Sequence, residues 1–230
     1  MLYFCTQHGP SQGYLPPSGQ TQIVDRRIKA DGHKNPAILQ AFYKVPRHFF
    51  MDLALDDLAY TNAAFQIGSG QTISHPYTVA FQSELLELNK KMKVLEIGTG
   101  SGFQTCILCA LGAKVYSIER HQELHLKANA MVKHFKYDAR LRYGDGFLGW
   151  PSYAPFDRII VTCGAPEIPL ELKKQLAVGG IMIIPVGEGA EQVMLKIVRL
   201  NDHEFTQQQF GTFKFVPMLE EKVSIKTPKP

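Results

Sequence analysis

Apolar and polar residues follow two alternating patterns over the second half of the chain. Short apolar runs at Val94–Ile97, Lys114–Ile118 and Arg158–Thr162 are typical of strands in a parallel sheet that is covered on both faces. Between them, residues 102–111 and 122–136 carry apolar side chains at the three-to-four-residue spacing of an amphipathic helix. Because strands alternate with helices of this length, the pattern predicts an α/β fold with a mostly parallel, doubly wound sheet.

The pattern changes toward both ends of the chain. Gln192–Leu200 and Phe210–Val216 are extended segments with no helix between them, which predicts antiparallel strands at the C-terminal edge of the sheet. On the N-terminal side, Asn35 before Pro36 predicts the start of one helix, and a second helix is predicted to begin at Pro76. These N-terminal helices are additions to the alternating core.

Residues 47–75, between the two N-terminal helices, are predicted to form a long loop, since Gly68 and Gly70 interrupt any regular period. Residues 1–22 contain no Lys or Arg and are rich in Gly, Pro, Gln and Ser, so we expect a disordered extension. The chain is therefore divided into this extension (1–22), a helical and substrate-loop region (23–92), an α/β core (93–219) and a C-terminal tail (220–230).

The composition argues against several classes of protein. The chain of 230 residues has a formal net charge of +4, and its Lys and Arg residues form no cluster, so no nucleic-acid partner is expected. No apolar run approaches the roughly 18 residues of a membrane span, and the first residues lack the features of a signal peptide. We therefore expect a cytoplasmic monomer that does not bind membranes.

Cys106 and Cys109 form a C-x-x-C pair, a spacing that occurs in zinc and redox sites. Both lie within a predicted helix, and no second Cys or His pair follows at the spacing of a zinc ribbon. We therefore interpret them as small apolar side chains that fill space, and we expect no bound metal ion.

A glycine-rich loop follows the first strand of the core. Gly98, Gly100 and Gly102 open a helix, where glycine lets the backbone approach a ligand and the helix N-terminus offers free N–H groups. The spacing is G-x-G-x-G, whereas a dinucleotide fingerprint would require glycine at the position of Phe103. The loop predicts a cofactor site and leaves the cofactor to be identified by the neighbouring residues.

Three acidic residues lie near this loop. Glu119 ends the second strand of the core, where its carboxylate is placed to accept hydrogen bonds from both hydroxyls of a ribose. Asp145 stands between Gly144 and Gly146 after the third strand, where we expect it to bind an adenine amino group. Glu96 lies inside an apolar strand and must be paired, which favours a positively charged cofactor over an anionic dinucleotide.

Two segments point to a family. Val94–Gly102 together with Tyr116–Glu119 resembles the class I methyltransferases that use S-adenosylmethionine. Ile67–Pro76, which reads IGSGQTISHP, is similar to the signature of the protein-L-isoaspartate (D-aspartate) O-methyltransferases. The resemblance covers about residues 23–219 and includes four further segments: Val45–Phe49, Pro155–Pro166, Leu176–Gly187 and Phe215–Met218.

The resemblance implies a fold, a cofactor, a substrate and a set of site residues. The fold is the Rossmann-like class I methyltransferase fold, the cofactor is S-adenosyl-L-methionine, and the substrate is an L-isoaspartyl or D-aspartyl residue of a damaged protein or peptide. Ser74 is implied as the catalytic residue, and Ile67, Gly68, Val216 and Pro217 are implied to bind the substrate. The implied cofactor-binding residues are Gln71, Thr72, Ile73, Ser74, Glu96, Gly98, Gly100, Ser101, Gly102, Glu119, Arg120, Gly144 and Asp145.

The implied reaction is methylation of the free α-carboxylate, after which the ester closes spontaneously to a succinimide that hydrolyses in part to normal aspartate. A carboxylate with a pKa of about 3.5 is ionised at neutral pH, so no general base is required. Ser74 precedes the helix that begins at Pro76, where its hydroxyl and nearby N–H groups are placed to bind the anion. The structural alternative is that Ser74 only caps that helix.

Two features keep other interpretations open. The family usually carries an Asp and a Pro between the Tyr and the Ile-Gly of its signature, whereas Tyr60–Gln66 here reads YTNAAFQ, which concerns the fit of the substrate-facing loop. Phe213, Phe215 and Val216 either line a peptide groove along an edge strand or belong to the core. The alternative functions are a class I methyltransferase for a small molecule or nucleic acid, and a non-catalytic relative that binds S-adenosylmethionine.

Overall fold

The structure is a computed structural model, which describes Ile28, Gly32 and residues 35–225. The extension predicted over residues 1–22 lies outside the described residues. The helices are α1 Pro36–Lys44, α2 Pro76–Leu85, α3 Phe103–Ala110, α4 Gln122–His134 and α5 Leu170–Gln175, with 3₁₀ helices at Arg47–Phe50, Leu53–Leu58 and Pro151–Tyr153. The strands are β1 Phe65–Gly68, β2 Gln71–Ile73, β3 Lys93–Ile97, β4 Lys114–Glu119, β5 Ala139–Tyr143, β6 Phe156–Val161, β7 Leu176–Val186, β8 Gln192–Arg199 and β9 Phe205–Phe213.

Strands β3 to β9 form one seven-stranded sheet in the order β5-β4-β3-β6-β7-β8-β9. Strands β3 to β7 run parallel, whereas β8 and β9 pair antiparallel at one edge. The predicted α/β class, with its mostly parallel sheet and antiparallel C-terminal strands, is confirmed. Because the chain runs outward from β3 through β4 on one side and through β6 on the other, the carboxyl ends of these strands flank the crevice where open α/β sheets bind ligands.

The sheet is covered on both faces, which explains the continuous apolar runs of its strands. On one face, Val94 of β3 belongs to a buried cluster with Leu108 of α3. On the other face, Leu95 of β3 belongs to a cluster with Leu172 of α5. Since neighbouring residues of a strand alternate between the faces, Glu96 lies on the side of Val94 and faces α3.

Helix α1 begins where the sequence predicts it. The side chain of Asn35 caps the helix by accepting a hydrogen bond from the N–H of Ala37 at 3.0 Å, and Pro36 occupies the first turn. The ring of Phe42 meets that of Phe103 in α3 edge to face, with the ring centroids 5.8 Å apart. The N-terminal region therefore packs directly against the helix that follows the glycine-rich loop.

The prediction of a long loop over residues 47–75 is wrong. This segment contains two 3₁₀ helices and the antiparallel β1–β2 hairpin. Gly68, Ser69 and Gly70 form the tip of the hairpin, with φ values of 94°, 53° and 67°. Strands of four and three residues are too short to show a period in the sequence, so their pairing with each other decides that they form.

The predicted boundaries near the C-terminus also need correction. The last strand, β9, spans Phe205–Phe213 and not residues 210–216. The tail predicted over residues 220–230 is packed against the core as far as it is described, because Val223 forms a parallel bridge with His121. Residues 217–225 are called the C-terminal strap below.

The predicted C-x-x-C pair lies on α3. Cys106 and Cys109 are free thiols, and burial raises the pKa of Cys109 to about 12, so this side chain is neutral at physiological pH. Over the described residues, no group of three or more His, Cys, Asp or Glu side chains is arranged to hold a metal ion. None of the helices in this part of the chain is long and apolar enough to cross a membrane.

Candidate active site

Two adjoining cavities open at the carboxyl ends of β3, β4 and β6. The first is lined by the signature segment Gln71–Ser74, by residues 98–101 of the glycine-rich loop, and by side chains of α2 and α3. The second lies on the β4 side, where Arg120 and the start of the C-terminal strap line it. The residues that line both cavities are Gln71, Gly98, Glu119 and Cys163.

The glycine-rich loop is fixed by the neighbouring strand β4. The N–H of Gly98 donates to the carbonyl oxygen of Ile118 at 2.9 Å, and the N–H of Gly100 donates to Glu119 Oε2 at 2.8 Å. The other carboxylate oxygen of Glu119 accepts from the N–H of His121 at 2.8 Å. Glu119 is therefore both a wall of the cavities and the anchor that sets the loop's position.

Thr162 and Thr99 also line the first cavity, although neither was assigned to the site from the sequence. Thr162 Oγ1 donates to the carbonyl oxygen of Gly98 at 2.6 Å, and Thr99 Oγ1 shares a 2.6 Å hydrogen bond with Ser117 Oγ. Thr162 directly follows the carboxyl end of β6, and Thr99 lies two residues beyond that of β3. This position is the sequence signal that places each of them near the crevice.

Ser74 lies in the first cavity, opposite the glycine-rich loop. The N-cap of α2 is His75, so Ser74 stands one residue before the cap and does not serve as the N-cap itself. Its carbonyl oxygen accepts a hydrogen bond from Arg47 at 3.0 Å, whereas its hydroxyl forms none with any other residue that the structure describes. The hydroxyl is therefore available to a ligand in the cavity.

The structure brings most of the predicted site residues to the two cavities. Those that line them are Gln71, Thr72, Ile73, Ser74, Gly98, Gly100, Ser101, Glu119, Arg120, Val216 and Pro217. Those that line neither cavity are Ile67, Gly68, Glu96, Gly102, Gly144 and Asp145. The direct ligand contacts predicted for this second group stay predictions, and their positions give each a structural role.

Three of these residues shape the glycine-rich loop: two lie in neighbouring segments, and Gly102 is the last glycine of the loop itself. Ile67 of β1 lies against Gly100, with its Cδ1 at 3.5 Å from where a Cβ would stand. Gly102 is the N-cap of α3, and a Cβ there would approach the Cβ of Ala128 to 3.3 Å. The N–H of Gly144 donates to the carbonyl oxygen of Glu119 at 2.9 Å. These contacts fix how closely the neighbouring segments pack around the cavity.

Phe213 and Phe215 are packed against the buried cluster on the α3 face of the sheet. The rings of Phe213 and Phe81 in α2 are stacked, with centroids 5.3 Å apart. Val216, by contrast, lines the first cavity. The structure thus places the two aromatic residues with the core and Val216 with the site.

Glu96 is fully buried, and it faces α3 as the alternation along β3 requires. Its Oε2 accepts a hydrogen bond from Thr105 Oγ1 at 2.5 Å. Burial raises the pKa of Glu96 from its ordinary 4.5 to about 7, because the charged form is desolvated, and the hydroxyl of Thr105 offsets only part of this effect. The folded protein therefore holds a proton on Glu96 that the unfolded chain would release at neutral pH.

This proton makes the stability of the fold depend on pH. Since the pKa of Glu96 is higher in the folded state, the free energy of unfolding falls as the pH rises from about 4.5 to about 7. Replacing Glu96→Gln is expected to remove this loss, which amounts to about 3 kcal/mol above pH 7. Unfolding measured at pH 5 and pH 8 checks it, with the exposed Glu188→Gln as control. Parallel pH profiles for wild type and Glu96→Gln would contradict the expectation.

Asp145 holds the C-terminal strap. Its Oδ1 accepts from the N–H of Phe147 at 2.8 Å, and its Oδ2 accepts from the N–H of Glu221 at 3.0 Å. The guanidinium of Arg120 donates to the carbonyl oxygens of Glu220 and Glu221, each at 3.1 Å. Asp145 and Arg120, which were both predicted from the sequence to bind the cofactor, therefore hold the C-terminal strap beside the second cavity.

Removing the Asp145 carboxylate is expected to loosen this strap. In Asp145→Ala, the Glu221 amide should exchange hydrogen faster, and bound cofactor should dissociate about tenfold faster, because one charge-assisted hydrogen bond is lost. Hydrogen exchange distinguishes this role from a direct contact with adenine, which would leave the Glu221 amide protected. The exposed Asp138→Ala is the control. If the Glu221 amide exchanges hydrogen at the same rate in Asp145→Ala as in wild type, Asp145 does not hold the C-terminal strap.

The charges of the lining indicate which kind of cofactor fits. Among the residues that the structure describes, the first cavity is lined by no Lys, Arg or His, and Glu119 is its one charged residue. The second cavity adds Arg120, so the two charges balance. Such a lining does not compensate a pyrophosphate, and it suits a ligand with a nucleoside part and a cationic or zwitterionic part. A carboxylate and a glycine-rich loop that allows close backbone approach match S-adenosylmethionine.

The parallel sheet with antiparallel final strands, together with a glycine-rich loop at its switch point, defines a class I methyltransferase. The family model described as Protein-L-isoaspartate(D-aspartate) O-methyltransferase matches residues 19–223. The chain belongs to this family.

Individual relatives agree with this assignment. A Flavobacterium psychrophilum protein-L-isoaspartate O-methyltransferase is 54% identical over 196 residues, which is 85% of this chain and 92% of the relative. A Christiangramia forsetii protein of the same name is 51% identical over 205 residues, or 89% and 96% of the two chains. A Plasmodium falciparum structure described as a protein-L-isoaspartate O-methyltransferase shares the fold, with a TM-score of 0.77 at 20% identity, over 87% of this chain and 98% of that one.

Proposed function

We propose that the first cavity transfers a methyl group from S-adenosylmethionine to the α-carboxylate of L-isoaspartyl and D-aspartyl residues, so that damaged proteins are repaired. The observation that carries this proposal is that Ser74 faces the glycine-rich loop within one cavity while its hydroxyl is unbonded among the described residues. The Plasmodium falciparum relative was solved in complex with S-adenosyl-L-homocysteine, which supports the cofactor.

The cofactor is held by backbone more than by side-chain charge. Residues 98–101 offer close backbone approach, and Glu119 offers a carboxylate edge to ribose hydroxyls. Gln71–Ile73 close the opposite wall. When bound, S-adenosylmethionine supplies a methyl group on a sulfonium sulfur, which is an electrophile toward carboxylate oxygen.

The acceptor carboxylate needs orientation and desolvation. It is already ionised at neutral pH, so the site requires no general base. The Ser74 hydroxyl donates to one carboxylate oxygen and replaces a water molecule that the anion loses on binding. Holding the two reactants in one geometry can supply on the order of 7–11 kcal/mol of the barrier. Positioning the two reactants is therefore the main contribution of the protein to catalysis.

Water is kept from the reacting groups by apolar side chains. Ile73, Val79 and Phe103 line the first cavity, and each is at most 3% exposed. Val216 lies at the mouth on the side of the strap, and its carbonyl oxygen accepts from the N–H of Gly164 at 2.8 Å. Val216 and Pro217 are therefore the residues proposed to contact the substrate's main chain.

The test is methyl transfer from labelled S-adenosylmethionine to an isoaspartyl peptide and to its normal aspartyl twin. Selective transfer to the isoaspartyl peptide is the expected result. Transfer to neither peptide would overturn the proposal and favour another acceptor or a non-catalytic role. The same assay with nucleic acid as competitor tests the further proposal that the chain acts without nucleic acid, and sizing of the active species tests the proposal that it is a monomer. Cell fractionation tests the proposal that it is cytoplasmic.

A further inference from the structure

Arg47 joins four pieces of the acceptor side of the site. Its guanidinium donates to the carbonyl oxygen of Ala59 at 2.7 Å, to that of Ala63 at 2.8 Å and to that of Ser74 at 3.0 Å. Its Cζ also lies 5.7 Å from the ring centre of Phe65 in the hairpin. One side chain thus fixes the end of the second 3₁₀ helix, the divergent Tyr60–Gln66 loop, the hairpin and the signature segment relative to one another.

The charge of this guanidinium is not neutralised. Arg47 is only 3% exposed, and it forms no ion pair with an Asp or Glu over the described part of the chain. Burial lowers the pKa of Arg47 to about 10, so it remains protonated at physiological pH. Carbonyl oxygens accept hydrogen bonds from its two terminal nitrogens without cancelling its charge, whereas its buried Nε has no hydrogen-bond partner among the described residues. A buried cation without a counter-ion is costly to keep.

The positive potential of Arg47 reaches the residue that follows Ser74. The pKa of His75, the residue after Ser74, is lowered first by burial and second by the charge of Arg47. Over the described residues, the first cavity is lined by no cationic side chain, and Arg47 donates to the carbonyl oxygen of Ser74. An anion beside Ser74 would therefore lie close to a positive charge that is not part of the cavity lining.

We propose that Arg47 is a positioning residue for the acceptor: it orients Ser74 through its carbonyl oxygen and supplies the fixed positive potential that attracts the substrate's carboxylate. This inference rests on the function proposed above. It also assigns a role to a buried charge that lies next to the residue proposed to bind the acceptor.

The placement of the charge behind Ser74 follows from the reaction. The carboxylate loses its charge as the ester forms, so a direct ion pair would stabilise the bound substrate more than the transition state. A cation that contacts the carbonyl group of Ser74, and not the acceptor itself, attracts the carboxylate and leaves the carboxylate oxygen free to react. The charge of Arg47 should therefore affect substrate affinity, whereas its hydrogen bond to Ser74 should affect turnover.

Arg158 provides a matched control within the same chain. It is 8% exposed, and it donates to the carbonyl oxygens of Leu86, Glu87 and Asp157. Burial lowers its pKa as well. Arg158 lies near the amino end of β6, away from the cavities, so its replacement reports the cost of losing a buried, carbonyl-bound guanidinium.

The experiment compares an isoaspartyl peptide with its α-carboxamide twin, which has the same shape and no charge. Affinities are measured with S-adenosylhomocysteine bound, so that neither turnover nor a sulfonium charge contributes. In Arg47→Met, the preference for the carboxylate peptide is expected to fall about tenfold while the affinity for the carboxamide changes little. Arg158→Met should leave the preference unchanged. If Arg47→Met instead disorders the loops in general, the affinities for both peptides should fall by the same factor, and that result would overturn the proposal.

Arg47→Lys keeps the inference testable if Arg47→Met does not fold. Lysine retains the charge but cannot reproduce the guanidinium's bonds to three carbonyl groups. We expect the carboxylate preference to stay within about twofold of wild type and kcat to fall several-fold. A preference lost in Arg47→Lys would disprove the charge role. If the wild-type enzyme methylates neither the isoaspartyl peptide nor its aspartyl twin, the proposed function fails. If it methylates the isoaspartyl peptide but Arg47→Met keeps the wild-type preference for the carboxylate peptide, this inference fails.

Discussion

Gly98→Ala is expected to abolish measurable cofactor binding and to lower the free energy of unfolding by about 2–4 kcal/mol. A Cβ on Gly98 would stand 2.5 Å from Thr162 Oγ1, which is held in place because it donates to the carbonyl oxygen of Gly98 itself. The φ of Gly98 is +94°, a value that an L side chain rarely adopts. Calorimetric titration with S-adenosylhomocysteine and thermal unfolding measure the two effects.

Gly179→Ala separates the clash from backbone strain. Gly179 also has a positive φ, +76°, but a Cβ there would meet nothing within 4 Å. Its replacement should cost only about 1 kcal/mol of stability and leave cofactor affinity intact. Adding Thr162→Ala to Gly98→Ala should restore part of the stability, because the contacting oxygen is removed. If Gly98→Ala binds the cofactor as wild type does, the glycine-rich loop is not the cofactor site.

Ser74→Ala is expected to lower kcat on an isoaspartyl peptide by roughly 10- to 100-fold, the effect of losing one hydrogen bond to a charged group. Cofactor affinity should change little, because the glycine-rich loop and Glu119 on the opposite wall are untouched. The stability should also be preserved, since the Ser74 hydroxyl bonds to no described residue and does not cap α2. Steady-state kinetics and a cofactor titration separate these quantities.

Ser74→Thr serves as the matched variant because it retains the hydroxyl. It is expected to keep more activity than Ser74→Ala, with a remaining loss from the added methyl group in a packed wall. Equal turnover by wild type and Ser74→Ala would show that the hydroxyl does not contact the acceptor. Equal losses in both variants would assign the effect to the shape of the wall.

Several features of this protein were decided by the sequence alone. The alternation of apolar strands and amphipathic helices specifies the parallel sheet, because residues buried on both faces must form continuous apolar runs. The Asn35-Pro36 cap is local, so α1 begins where it was predicted. The glycine-rich loop and Glu119 lie at neighbouring strand ends in any such sheet, which is why the sequence places them together.

The tertiary structure decided the features that depend on distant partners. The carbonyl groups that Arg47 binds lie 12, 16 and 27 residues away along the chain. No local sequence pattern predicts hydrogen bonds over such separations. The β1–β2 hairpin forms by mutual pairing of strands that are too short to show a period. Asp145 meets Glu221, 76 residues distant, because the C-terminal strap returns to the sheet. Local propensity and periodicity act over a few residues, whereas the acceptor wall and the strap exist only after the chain has brought remote segments into contact.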